Sequence, residues 1–543
     1  MFITKYIACV LLIIVSFSAH SQGSFDVVVY GGTPGGFTAA IQVARMGHKV
    51  ALVEPSAHVG GILVNGLGIT DIDSQPKFQN SVAVGGLALE FYRRVAKHYG
   101  RYEQFEEMIR TRTKNHDLWP HEPHVAENII RDWLAENNVH VFLKARLIEK
   151  KNAVEKKKTR ISRIRMENGR TFDAKMFIDA TYEGDLLAAA GISTVAGREG
   201  NAKYGERLNG IRAETTHAQF QVKVNPYVDP DDPTSGLIPT IQDEPLGVPG
   251  EGDKRIQAYC FRMCLTQDRD NMIPFTKPAN YDRNQYEIYL RYLRGGGNLL
   301  RPWVAIPNGK SDLGAWHDLS HNLYGMNMDY PEGDYATRER VYQEHKDFTQ
   351  GLFYFLANDP EVGELDRDLQ ETWASWGLAK DEFTDNGGWP RMFYVRSARR
   401  MVSDYVITEH HILKPNPVPV EDPVGVAFWP TDVHSVRRIV KDGYAYNEGF
   451  VFDGDFWEPL PVSYRALIPK SKECTNLLTP TCPSSSYTAY GAIRLEWTFM
   501  VLGQSAGAAA VQALEEKTDV QEVNYSALRK ILIEEGQVLH LNK

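Results

Sequence analysis

The chain is 543 residues long, 43% hydrophobic and 24% charged, with a formal net charge of −9. That length exceeds one ordinary core and divides into two or so domains of roughly 100 to 250 residues. The composition excludes a disordered or fibrous class, and the acidic balance argues against a nucleic-acid partner, since no strongly basic face is implied.

In chain order, the first segment reads MFITKYIACVLLIIVSFSAHSQG, with one cation at Lys5, an apolar run from Ile7 to Phe17, and small residues at Ala19 and Ser21. This is the pattern of an export signal, residues 1–21, with cleavage predicted after Ser21 and a periplasmic or secreted product. The apolar run falls short of the roughly 20 residues of a spanning helix, so no stable membrane insertion is expected. Beyond Cys9 in that run, Cys260, Cys264, Cys474 and Cys482 remain. They are too few for a disulfide scaffold and lack C-x-x-C spacing, which leaves buried thiols or one long-range disulfide.

FDVVVY, Phe25 to Tyr30, is a near-continuous apolar run of the kind found in a parallel strand covered on both faces. The turn Gly31, Gly32, Thr33, Pro34, Gly35, Gly36 follows, then the helical pattern FTAAIQVARMG and a second strand, HKVALVE, ending in Glu54. Strand, glycine-rich turn, helix and strand make one βαβ unit. The turn stands in the place of G-x-G-x-x-G, with Thr33 where the second glycine would let backbone approach a pyrophosphate. Helix-start amides would face phosphates, and Glu54 would accept from an adenosine ribose; the plainer alternatives are a glycine turn and a solvated acid. Dinucleotide binding is the inference.

Further on, HVAENIIRDWLAENN reads as a helix, NVHVFLKARL as a strand, and ISRIRMENGRTFDAKMFIDA as a hairpin leading into a buried strand. The character changes near Gly197 to long polar connections. The expected organisation is an α/β, Rossmann-like nucleotide-binding domain with a three-layer parallel sheet, whose first part is 25–196 and closing part 464–543. An α+β substrate or cap domain, 197–463, is inserted between them.

Three segments carry a resemblance. VEPSAHVGGILVNGLG (Val53 to Gly68), FIDATYEGDLLAAAG (Phe177 to Gly191) and SSSYTAYGAIRLEWTFMVLGQSAGAAA (Ser484 to Ala510) resemble the FAD-dependent oxidoreductase family of the glutathione-reductase fold type. QAYCFRMCLT, DEFTDNGGWP and YVRSARRMVSDY are similar to a largely bacterial, exported subgroup, some of whose members carry xanthan lyase names. The resemblance implies FAD as cofactor. It places Gly60 and Gly61 where backbone passes the cofactor, Arg146 near the adenine, and Ala180, Thr181 and Asp185 turned towards it. Ile493 and Arg494 fall beside the flavin ring, while Gly503, Gln504, Ser505 and Ala506 lead into the final helix. Asp185 has a second reading as a helix-capping acid. Tyr487 stands where relatives often have His.

A flavin dehydrogenase needs a base and nearby cations. His434, with Asp432 two residues before it, is the candidate base; the bland alternative is a structural histidine. Arg396 and Arg399 are spaced i, i+3, which on a helix would clamp an anionic group or serve ion pairs. Asp385, Asn386 and Trp389 pair polar groups with an indole plate suited to a sugar ring. His317 and His321 sit in a glycine-rich setting that argues against a helix, so no metal is assigned. The function expected is an FAD-dependent oxidoreductase acting on a small or carbohydrate-like substrate, with an unidentified electron acceptor. The rivals are a carbohydrate lyase or isomerase on the same fold, and a binding protein with a decayed nucleotide site.

Overall fold

The computed structural model describes residues 21–215 and 217–541. Of the expected export signal at 1–21, residues 1–20 lie outside the described residues.

The first strand, β1 (Ser21–Tyr30), leads through the glycine turn into helix α1 (Pro34–Arg45) and strand β2 (Val50–Val53). β1 begins earlier than the apolar run because Ser24 and Phe25 pair with Asp173 and Ala174. Helix α2 (Pro123–Glu136) and strand β3 (His140–Phe142) follow, then β4 (Val154–Lys157), β5 (Arg160–Arg165), β6 (Thr171–Asp179) and the short helix α3 (Asp185–Ala189). The next part contains β7 (Met263–Thr266), β8 (Met272–Pro274), β9 (Lys310–Leu313), the 24-residue helix α4 (Tyr335–Asn358) and β10 (Gly377–Ala379). Strand β11 (Leu477–Leu478) and helices α5 (Tyr487–Ile493) and α6 (Glu496–Glu516) come later in the chain.

The main sheet has the order β3-β2-β1-β6-β5-β4, with β11 also on β6. β1, β2, β3, β6 and β11 run parallel, and β4 and β5 add an antiparallel hairpin. The outer edge of β6 is shared: Thr171 to Asp173 pair β5, while Phe177 and Ile178 pair β11 from some 300 residues downstream. Alternation along β1 fills both faces, with Val27 and Val29 packing towards α1 and α6, and Val28 and Tyr30 towards Leu186 and Cys474. An apolar run without polar alternation is what a sheet covered on both sides requires. The α/β class and the Rossmann-like layering expected from the sequence are therefore present.

Residues between β6 and β11 build a separate antiparallel sheet of order β9-β7-β10-β8. Helix α4 went unread in the sequence, although Asp334 caps it by accepting from the Thr337 amide at 2.8 Å. Cys260, Cys264, Cys474 and Cys482 are all buried and free, so the disulfide alternative does not hold. Among the described residues, no helix is long and apolar enough to cross a membrane.

Candidate functional site

Backbone, rather than side chains, forms the first half of the site. Gly31 lies at φ +100°, where a Cβ would sit 2.7 Å from the Ala180 carbonyl carbon and the Thr181 nitrogen. A Cβ on Gly36 would collide with the Gly31 carbonyl. The turn thus presses against the end of β6 in a way only glycine permits. Thr33, the departure from the motif, turns its hydroxyl away: Oγ1 donates to Ala180 O at 2.6 Å and accepts from Gly36 N at 3.4 Å, capping α1. Its side chain therefore leaves the amide side of the turn clear.

Among the described residues, no acceptor meets the buried amides of Thr33 and Gly35, at the start of α1. Orphaned donors at a helix N-terminus suit a pyrophosphate. Gly60 donates to Gly32 O at 2.7 Å, and a Cβ on Gly61 would meet Tyr182 Oη at 2.5 Å. Glu54 is buried with Oε2 accepting from Gly32 N at 2.6 Å and Oε1 from Ser56 N at 2.7 Å. Burial pushes its carboxyl upward, so further donors such as ribose hydroxyls are favourable company. Beside it, Ala145 N donates to Glu54 O at 3.0 Å, and Arg146 lies 3.8 Å over the Tyr335 ring while pairing with Glu167. Taken together, the donor set fits the ADP half of FAD.

The second half is a cluster of charged side chains from four distant segments. Arg494, at the end of α5, donates to Tyr394 Oη at 3.0 Å and to Asp432 O at 3.0 and 3.1 Å, and pairs with Asp432 Oδ2 at 3.1 Å. His434 is buried, its Nε2 3.7 Å from Asp432 Oδ1 and its backbone amide donating to Gln257 Oε1 at 3.0 Å. Burial first, and then the positive charges of Arg396 and Arg494, hold the imidazole well below its ordinary pKa. Arg262 pairs with Asp312 at 2.7 Å, and Asp312 in turn accepts from the Gly68 and Ile69 amides at 2.9 Å.

Glu496 opens α6 and accepts from Tyr182 Oη at 2.7 Å; burial pushes its carboxyl up to about 8. Leu63, Asp71, Tyr92, Tyr394, Glu496 and Trp497 enclose a narrow cleft between the cradle and the cluster. Among the described residues, the buried Trp497 Nε1 meets no hydrogen-bond partner. Glu496, Tyr394 and Asp71 were not read as site residues. The signal for Glu496 was available: an acid two residues after Arg494 opens a helix whose first turns are otherwise mainly apolar.

Other expected residues go elsewhere. Arg396 and Arg399 do not lie on a helix, because 391–399 is irregular and pinned by the bridge of Tyr394 to Cys260. Arg396 is 2% exposed and spends its guanidinium on the Ala258 and Ala315 carbonyls and Asn322, with its charge turned on His434. Arg399 joins Arg338 on Asp185, at 3.1 and 2.8 Å. Burial works against ionisation of Asp185, yet these cations hold its carboxyl below the usual range. Thr181 accepts from Asp185 N at 3.0 Å, so Asp185 heads α3 with its carboxylate already committed.

Asp385 binds His58 Nε2 at 2.9 Å and Arg391 at 2.5 Å, away from His434's partners. Trp389 offers no plate to a ligand, since its indole is buried edge-on against Phe261 at 5.1 Å. Gly503, Gln504, Ser505 and Ala506 do not lead into a helix but lie inside α6, because the apolar pattern of LEWTFMVL starts it at Glu496, and a last helix, Tyr525–Glu534, follows later. There Gly503 backs the glycine turn, where a Cβ would collide with Gly35 O. Gln504 bonds Gln42 and the Leu87 amide, and Ser505 bonds Val424 O.

A cavity of about 1250 Å³ is one aromatic layer from the cluster: Phe78 and Phe428 line it, and both neighbour Trp429, whose Nε1 donates to Asp432 Oδ2 at 3.4 Å. Glu122, His124, Asp381 and Glu382 also converge, but the Lys310 ammonium lies 2.6 to 3.1 Å from three of these acids and meets their charge.

The FAD dependent oxidoreductase family matches residues 26–532, and the chain belongs to it. It is 56% identical over 41 residues to the dihydrolipoyl dehydrogenase of Zymomonas mobilis, 8% of this chain and 9% of that one. The match to the enzyme of the same name from Chlorobaculum parvum is 52% over 48 residues, 9% and 10% of the two chains. The aligned stretch thus spans about a tenth of these relatives. Among solved structures, an L-amino acid deaminase from Proteus vulgaris aligns over 34% of this chain and 55% of its own at 15% identity and a TM-score of 0.24. An L-proline dehydrogenase from P. horikoshii aligns over 33% and 58% at 14% identity and a TM-score of 0.23. That family agrees with the donor set of the cradle, which fits the ADP half of FAD.

Proposed function

We propose that this FAD-dependent oxidoreductase oxidises a C–OH or C–N bond of a small, carbohydrate-like substrate, with His434 as the proton acceptor. The observation that carries the reading is the buried imidazole of His434, 3.7 Å from Asp432 Oδ1 and held below its ordinary pKa by burial and by Arg396 and Arg494. Bound FAD supplies a two-electron acceptor next to the cradle. When the substrate gives up hydride from its C–H bond to that acceptor, its O–H or N–H proton would pass to His434 Nε2, leaving the C=O or C=N product. Asp432 steadies the resulting imidazolium, and Arg494 with Tyr394 steadies negative charge developing on the substrate heteroatom. Glu496, protonated near neutrality, lines the cleft and accepts from Tyr182 Oη.

The insert, 197–463, supplies Arg262, Tyr394, Asp432 and His434, and the closing part, 464–543, supplies Arg494 and Glu496. On the pattern of residues 1–21 we place the mature protein in the periplasm or outside the cell, where oxygen, a quinone or a carrier protein would receive the electrons. The test is anaerobic titration of the yellow holoprotein with glucose, mannose, galactose and their disaccharides, with L-amino acids alongside. Bleaching by a sugar supports the reading. Sugar turnover with no bleaching overturns it in favour of a lyase.

A further inference from the structure

The insert carries a second feature that the redox site does not use, a cleft of about 420 Å³ between Trp303 and Trp316. That volume is within the usual range of roughly 300 to 1,000 Å³ for small-ligand sites. The two indoles are 39% and 48% exposed, high for residues whose rings are ordinarily mostly covered. Trp316 stacks on the neighbouring His317 ring at 3.9 Å, which fixes the plane of the indole.

The remaining wall narrows the chemistry. Arg301 is already paired with Asp366 at 2.7 Å and Asp368 at 3.3 Å, and it donates to Asn298 Oδ1 at 2.9 Å. Burial pushes His317 downward, towards its neutral form. No cation is therefore left for an anionic ligand, and no acid lines the cleft to attract a cationic one. A purely apolar ligand would sit against the polar residues Gln221 and Asn298 that also line the cleft, of which Asn298 already accepts from Arg301 through Oδ1 and keeps its Nδ2 to donate. Flat apolar plates beside neutral amide donors and acceptors match a neutral sugar, whose C–H faces lie on indoles while its hydroxyls bond to amides.

We propose that the cleft between Trp303 and Trp316 binds a neutral saccharide. Its position ties it to the redox site. Asp312 pairs with Arg262, Gly314 packs against the Arg262 guanidinium, Ala315 O accepts from Arg396 at 2.6 Å, and Trp316 is the next residue, at the surface. Four residues of chain span at most about 14 Å. A saccharide of several units would thus rest a distal unit on the tryptophans. This placement deepens the substrate reading above, whereas the binding itself does not depend on it.

The test uses oxidised, FAD-loaded protein without turnover, titrated with cellohexaose, maltohexaose, xylohexaose and mannohexaose by calorimetry and tryptophan fluorescence. At least one hexasaccharide is expected to bind. Trp316→Ala and Trp303→Ala should each weaken it by roughly tenfold or more, with melting temperature and flavin spectrum unchanged. Should Trp316→Ala fold poorly, Trp316→Tyr keeps a flat ring and is expected to hold affinity within roughly threefold. No binding of any of the four at about 10 mM, or unchanged affinity in both alanine variants, overturns the proposal. Sugar bleaching of the flavin with affinity untouched by the tryptophan variants would overturn the cleft alone. Tryptophan-dependent binding with no sugar ever reducing the flavin would overturn the redox reading alone.

Discussion

The nucleotide cradle acts through backbone and the absence of side chains, whereas the cluster around His434 acts through side chains whose charges balance one another. In the cradle, Gly31, Gly36 and Gly503 are close approaches, and the unpaired amides of Thr33 and Gly35 supply the chemistry. In the cluster, Arg494, Tyr394 and the Asp432–His434 stretch come from three separate segments, Arg494 bonds both Tyr394 and Asp432, and its charge helps hold the His434 imidazole below its ordinary pKa. The cradle should therefore fail abruptly when volume is added, and the cluster should fail by degrees as charges are removed.

The sharpest break is Gly36→Val. Its side chain has no room beside the Gly31 carbonyl, and the variant is expected to purify colourless, with FAD absent from the heat-released fraction. Bright yellow Gly36→Val protein would dissolve the contrast. Arg494→Ala comes next: it strips Asp432 and Tyr394 of their shared partner and should cost about 3 kcal/mol in denaturant unfolding, as breaking a buried pair does. Its cradle is untouched, so residual folded protein should still carry FAD.

Glu496 sharpens the comparison through pH. Its folded pKa of about 8 lies above the unfolded 4.5, so the folded state holds the extra proton between those values. Stability from this group is complete below about 4.5 and lost as pH rises through about 8. Glu496→Gln should flatten that decline and gain on the order of a few kcal/mol relative to wild type at high pH, read from melting curves between those limits. An identical pH dependence in both proteins would place the carboxyl in water. The smallest effect is Thr33→Gly, which restores the motif glycine but removes the bond to Ala180 O, for a loss of about 1 kcal/mol with FAD retained. Loss of FAD in that variant would mean that the hydroxyl does more than cap α1.

The same contrast explains what could be read in advance. The strand, turn, helix and Glu54 follow one another within 30 residues, and their tasks depend on local backbone, so periodicity and glycine spacing reveal them. Thr33 looked like a defect only because the direction of its hydroxyl is set by Ala180, far along the chain. The spacing of Arg396 and Arg399 suits a helix, but spacing alone does not say that Tyr394 is pinned to Cys260 in an extended path. Trp389 had the composition of a sugar plate, and its burial against Phe261 is a tertiary fact. Glu496 was missed because an acid at the head of a helix is ordinarily a dipole partner, and only packing reveals the raised pKa.

The central claim, that His434 takes the substrate's proton while the cradle keeps FAD in place, is tested most directly by anaerobic stopped-flow. Wild type and His434→Asn would be mixed with whichever sugar bleaches the flavin, following the band near 450 nm. The account predicts equal FAD content in both proteins and a reduction rate slower by roughly 10² to 10⁴ in the variant. Equal rates would contradict it and remove His434 from the reaction.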